Sequence, residues 1–119
     1  MILSIANTTA IKECITPDMY DPALETEEEH IGALCYHNKM TLGYVLFRED
    51  GTLLAAVVHP DVRRKGIGTQ VYTFAEEFVG GIYSNTLRAQ VNHEDPFLLA
   101  MGYSYSPEEG CMIKTYKES

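Results

Sequence analysis

The chain has 119 residues, 45% hydrophobic and 22% charged, enough for one modest core and unlike the composition of a disordered chain. Its formal net charge of −8 argues against general binding to nucleic acid or anionic membranes and favours cationic partners. No apolar run approaches the roughly 18–20 residues of a membrane span, and no basic segment precedes the apolar start, so a cytoplasmic protein with one domain over residues 1–119 is expected.

Residues 2–6, "ILSIA", read as a first strand. "NTTAIKECI" can open a helix capped by Asn7 or Thr8, after which Pro17 and Pro22 punctuate the chain. Asp18, Asp21, Glu25 and Glu27 to Glu29 make this an acidic stretch, read as a solvated loop that would also attract a cation. "HIGALCYHN" (30–38), "LGYVLFRED" (42–50) and "LLAAVVH" (53–59) form an antiparallel meander, with an Asp-Gly hairpin signal before the last. The unbroken apolar run of 53–59 predicts a central strand covered on both faces.

The period then changes. Ile67, Val71, Phe74, Ala75, Phe78 and Val79 fall on one stripe of an amphipathic helix, which Gly80-Gly81 should end. "TLRAQV" (86–91) reads as a strand, and "DPFLLAMG" (95–102) as a short helix with Pro96 in its first turn. "YSYSPEEGCMIKTY" closes the chain as a strand or hairpin. The fold class is α+β, with a strand–turn–helix–strand unit at its centre.

That turn carries the chemistry. Arg63, Arg64 and Lys65 are three of the chain's nine Lys and Arg residues, and Gly66-Ile67-Gly68 follows at once. A helix N-terminus presents unpaired N–H groups and partial positive charge, glycine lets a ligand approach the backbone, and flanking cations add charge-assisted hydrogen bonds. "RRKGIGT" opening a helix therefore describes a pyrophosphate cradle. A dinucleotide fingerprint is excluded because Val71 stands where its third glycine belongs, and a P-loop because the lysine precedes Gly66.

The stretch "VVHPDVRRKGIGTQ" resembles the acetyl-CoA signature of the GNAT family of N-acetyltransferases, Arg/Gln-x-x-Gly-x-Gly/Ala after a Val-x-Pro strand end. The weaker likeness runs from the meander to Tyr103. The resemblance implies a mostly antiparallel sheet flanked by helices, with a splayed strand pair, and acetyl-CoA as cosubstrate with no metal. It implies that the pantetheine arm lies on the backbone of Ala56, Val57 and Val58. The pyrophosphate would lie on Arg63, Arg64, Lys65, Gly66, Ile67, Gly68 and Thr69. The acceptor would be a cationic amine, a small molecule or a protein amino group; whether the chain forms a homodimer stays open.

The family's proton chemistry is harder to find. Its acid is often a tyrosine four residues before a Gly-aromatic pair; the pair here is Gly102-Tyr103, and the position holds Leu98. Asp95 stands in the place of the family's asparagine, and about one helical turn is missing before Gly102. Gln90 stands where some members carry a glutamate. His59 is the candidate general base, having a suitable intrinsic pKa. His93 and Glu94, in the loop after the fifth strand, are weaker alternatives, and Tyr103 and Tyr105 read as core and surface strand residues. The alternative function is an inactive acyl-CoA-binding or protein-interaction module. Cys14, Cys35 and Cys111 form no CxxC pair and read as buried or half-buried free thiols, and no histidine shows metal-ligand spacing with them.

Overall fold

The computed structural model describes residues 1–63 and 65–115. In chain order the elements are β1 (Ile2–Asn7), α1 (Thr8–Cys14), β2 (Ile31–His37), β3 (Met40–Phe47), β4 (Thr52–Val58), α2 (Ile67–Ile82), β5 (Thr86–Ala89), α3 (Pro96–Ala100), β6 (Ser104–Ser106) and β7 (Cys111–Thr115). They build a seven-stranded sheet in the order β1-β2-β3-β4-β5-β7-β6. Every neighbouring pair is antiparallel except β4 and β5, which are parallel. The parallel step follows from the connection, because α2 carries the chain back across one face before β5 begins.

Local chemistry sets the boundaries. The Asn7 side chain caps α1, accepting from the Ala10 N–H at 2.9 Å. Asn38 and Lys39 both take positive φ in the two-residue β2–β3 turn, as a twisted hairpin requires. Between α1 and β2 the chain makes two short 3-10 turns, Pro17–Met19 and Pro22–Leu24, each with proline in its first turn. They send Met19 and Leu24 into the core, and the Tyr44 hydroxyl donates to the Met19 carbonyl at 2.6 Å.

The sheet separates two apolar layers. One lies under α2 and includes Val45, Phe47, Val71, Tyr72, Val79, Leu87 and Met112. The other lies under α1 and the 3-10 turns and includes Ile11, Met19, Leu24, Leu34, Tyr44 and Leu46.

Four expectations need correction. Gly80-Gly81 does not stop α2, which runs to Ile82; the Tyr83 and Ser84 N–H groups both bond the Val79 carbonyl and close the last turn two residues later. The buried face of α2 is also rotated from the expected stripe. Tyr72 and Glu76 are buried while Phe74 and Phe78 are only half-buried, because polar partners draw the former inward. In addition, β4 is not covered on both faces throughout. Ala56 is exposed and Val57 and Val58 are half-buried, since β5 stops short of them. Of the cysteines, Cys35 and Cys111 are buried free thiols, whereas Cys14 is exposed, contrary to the burial expected of it.

Candidate active site

The site begins where β4 and β5 part. Gly51, with φ of +92°, sits so close to the start of β5 that a Cβ would lie 2.2 Å from the Thr86 carbonyl oxygen. The Arg88 N–H donates to the Gly51 carbonyl at 2.9 Å. The two strands are thus pinned at one end, and their pairing comprises only Thr52 with Arg88 and Leu53 with Ala89. Beyond that β5 ends while β4 continues to Val58. The His59 N–H donates to the Leu42 carbonyl at 2.8 Å, so alternation along the antiparallel pair turns the backbone of Ala56 and Val58 away from β3, into the gap. Backbone polar groups at an uncovered strand edge are a template for an extended ligand.

At the far end of that edge lies the glycine turn. Gly66 caps α2 in the left-handed conformation, φ +78°, and a Cβ there would meet nothing within 4 Å, so glycine is needed for its backbone angle. At Gly68 space is tight: a Cβ would come within 3.2 Å of Val58 Cγ2. The first turn of α2 is therefore pressed against the end of β4. The N–H groups of Ile67, Gly68 and Thr69 belong to that turn and have no acceptor within the helix. Arg63 and Lys65 are exposed, and Arg63 Nε donates to the Val58 carbonyl at 3.3 Å, reaching over the strand end. Arg64 lies outside the described residues. Val58, Arg63, Gly66, Gly68, Thr69 and Phe97 enclose a hollow of about 250 Å³ here.

The other end of the gap is a cavity of about 480 Å³, walled by Leu53 to Ala56, Tyr72, Ala89 to Val91, Phe97 and Leu98, with Asp21 and Asp95 on its lining. A smaller hollow of about 180 Å³, touching Ala56 to Val58, Gly68 and Phe97, lies between the two. Asp21 Oδ1 accepts from the Ala23 N–H at 2.8 Å, and Asp95 Oδ1 from the Leu98 N–H at 3.1 Å. No lysine or arginine lines this cavity among the described residues.

The sequence profile of the acetyltransferase (GNAT) domain family matches residues 4–112. The chain belongs to the GNAT acetyltransferase family.

Solved structures agree on the fold. An aminoglycoside 6′-acetyltransferase type Ii superposes with a TM-score of 0.70 at 20% identity, covering 100% of this chain and 99% of that one. The PaiA N-acetyltransferase of Thermoplasma acidophilum, in complex with coenzyme A, gives 0.61 at 18% identity over 71% of this chain and 60% of that one. An aminoglycoside 6′-N-acetyltransferase complexed with coenzyme A gives 0.58 at 19% identity over 81% and 64%. The chain thus spans less than two thirds of the length of the latter two. No curated protein sequence matches it.

Of the residues named for cofactor binding that the structure describes, Ala56, Val57, Val58, Arg63, Gly66, Gly68 and Thr69 line the two adjoining hollows, whereas Ile67 is buried in the core and Lys65 lines neither. The candidate catalytic residues do not gather there. His59 is buried just past the end of β4, where Nδ1 accepts from the Asp61 N–H at 3.1 Å and caps the 3-10 turn Pro60–Val62. It lines none of the three hollows, and Leu53 and Leu54, which line the largest of them, lie five or six positions back along the chain. His93 and Glu94 are exposed, His93 Nδ1 lying 3.1 Å from Asn92 Oδ1. Leu98 is buried and lines the 480 Å³ cavity, so an apolar side chain does occupy the wall there. Of the acidic stretch, Asp21 alone lines the cavity; Glu29 bonds the Thr9 N–H and hydroxyl, tying the loop to α1, and Asp18 accepts from the Thr16 hydroxyl. Both hydrogen-bonded carboxyls are held below the usual carboxylate range by these hydroxyl donors.

The most strongly perturbed groups carry no signal in the sequence. Under α2, the Tyr72 hydroxyl donates to the Tyr103 hydroxyl at 2.7 Å, and Lys114 Nζ donates to Glu76 Oε1 at 2.9 Å and to the Met101 carbonyl at 2.7 Å. Burial pushes Tyr72 and Tyr103 far up, so both stay neutral phenols. Burial also pushes the Glu76 carboxyl up, with Lys114 opposing. Among the described residues, Glu76 Oε2 has no hydrogen-bond partner. A glutamate inside an apolar stripe gives no warning of this, because its partner lies 38 residues away on β7.

Proposed function

We propose that this chain is an acetyl-CoA-dependent N-acetyltransferase acting on a cationic amine. One observation carries the reading: β4 loses its neighbour after Leu53 while its backbone runs on to a glycine-turned helix N-terminus. This edge fits a long ligand with an amide-bearing arm and a diphosphate. Ala56 and Val58 would pair with the arm, and the first-turn amides of α2, with Arg63 and Lys65, would hold the phosphates. Acetyl-CoA would supply the activated acyl group as a thioester.

The acyl-end cavity supports the choice of acceptor. Two carboxylates on the lining, without a lysine or arginine among the described lining residues, favour an ammonium group and hold it beside the gap. The amine must lose a proton to react. His59 is committed to capping a turn at the other end, so we assign deprotonation to water in the cavity rather than to that ring. Positioning is then the main source of rate, on the order of 7–11 kcal/mol in favourable cases. The free thiols accord with a reducing, cytoplasmic setting.

Leu98 favours a second reading, in which the same gap binds acyl-CoA without turnover, because the usual acid is replaced by an apolar side chain. Release of free thiol from acetyl-CoA, measured against a panel of amines, separates the two. Amine-dependent release supports the transferase. Tight binding with no release against any amine supports the module.

A further inference from the structure

We propose that Phe97 is the clamp that holds the acyl-CoA arm against β4, compensating in this chain for the shortness of α3; the inference rests on reading the gap as an acyl-CoA site. α3 has only five residues, started by the Asp95 cap and closed by the Met101 N–H on the carbonyls of Phe97 and Leu98. A helix of one and a half turns can present few side chains to a gap that runs along β4 from Leu54 to Val58. Phe97 lines all three hollows, from the phosphate end through the middle to the acyl end, whereas Leu98 lines the acyl end alone. Its reach is visible at Gly68, where a Cβ would lie 4.0 Å from Phe97 Cε1.

The ring is held in place from behind. Tyr72 meets it edge-on, with centroids 5.4 Å apart at 73°, and is itself fully buried against Phe47 at 5.7 Å and bonded to Tyr103. Yet Phe97 remains 38% exposed, far more than a phenylalanine serving only the core. A ring rigidly backed on one side and uncovered along a groove presents apolar surface to whatever fills that groove. Opposite it stand Ala56, Val57 and Val58, with the backbone of Ala56 and Val58 turned into the gap. An extended arm of methylenes and amides suits this pair of walls: one offers hydrogen bonds, the other excludes water from them. Phe97 is a positioning residue and exchanges no proton.

Calorimetric titration of wild type, Phe97→Ala and Phe97→Leu with two ligands tests this. Coenzyme A carries the arm; 3′-phospho-ADP keeps the phosphates and lacks it. Phe97→Ala should weaken coenzyme A about tenfold and leave 3′-phospho-ADP within about twofold, with Phe97→Leu intermediate for coenzyme A. Equal loss for both ligands would mean that the ring only supports the start of α2, and unchanged coenzyme A affinity would mean that it holds nothing; either result overturns the clamp while keeping the acyl-CoA reading. Wild type that binds neither ligand overturns both.

Discussion

The two ends of the gap beside β4 are built in opposite ways. The end at the glycine turn comes, Phe97 apart, from one short segment, Val58 to Thr69, whose glycines, cations and helix start are adjacent in the chain. The other end is assembled from Asp21, β4, α2, the end of β5 and α3, which lie far apart in sequence. Local chemistry therefore announces the first, while only the folded sheet creates the second. Under the proposed function the difference would also separate binding from specificity, the contiguous end holding phosphate and the assembled end selecting what reacts.

Substitutions can break one end without the other. Gly68→Val should have the largest effect, abolishing measurable coenzyme A binding, because a Cβ already lies a tight 3.2 Å from Val58 Cγ2 and the two added methyls crowd the end of β4 further. Isothermal titration checks this, with circular dichroism showing that the helix persists. Lys114→Met leaves Glu76 buried without that cation and should lower unfolding stability by about 3 kcal/mol. Denaturant titration would show it, and the folded fraction should still bind coenzyme A, since this pair lies behind the gap and not in it.

Asp21→Asn is a finer cut. Asparagine keeps an oxygen for the Ala23 N–H, so the loop survives while the negative charge is lost. The KM for a cationic amine should rise about tenfold, equivalent to about 1.4 kcal/mol, with the KM for acetyl-CoA unchanged. A shift in both constants would mean that Asp21 shapes the whole gap.

The smallest effect is a pH slope. Burial raises Glu76 above its ordinary 4.5, so the folded state binds a proton that the unfolded state has released. Stability from this group is thus undiminished below pH about 4.5 and falls as pH rises through the raised value. The stability of Glu76→Gln relative to wild type should accordingly increase over that window, read from urea midpoints at successive pH values. A constant difference would show that Lys114 fully cancels the burial.

What is legible in the sequence follows the same division. The meander, the helix start and the turn glycines rest on period and on residues within a few positions of one another. The splay was expected only through the family resemblance; its physical basis, the contact of Gly51 with Thr86, joins residues 35 positions apart. Phe97 reads as an ordinary apolar helix position, and its exposure depends on where β5 stops. His59 shows the converse: its residue type suits a base, but its neighbour Asp61 makes it a cap.

The central claim is that the uncovered edge of β4 receives the cosubstrate. Amide hydrogen exchange resolved by residue, with and without acetyl-CoA, reads that edge directly. Protection should appear at Ala56 and Val58, which face the gap, and at Gly68 and Thr69 in the first turn of α2, with little change along β2. Exchange at Ala56 and Val58 unaltered by saturating acetyl-CoA would contradict the account.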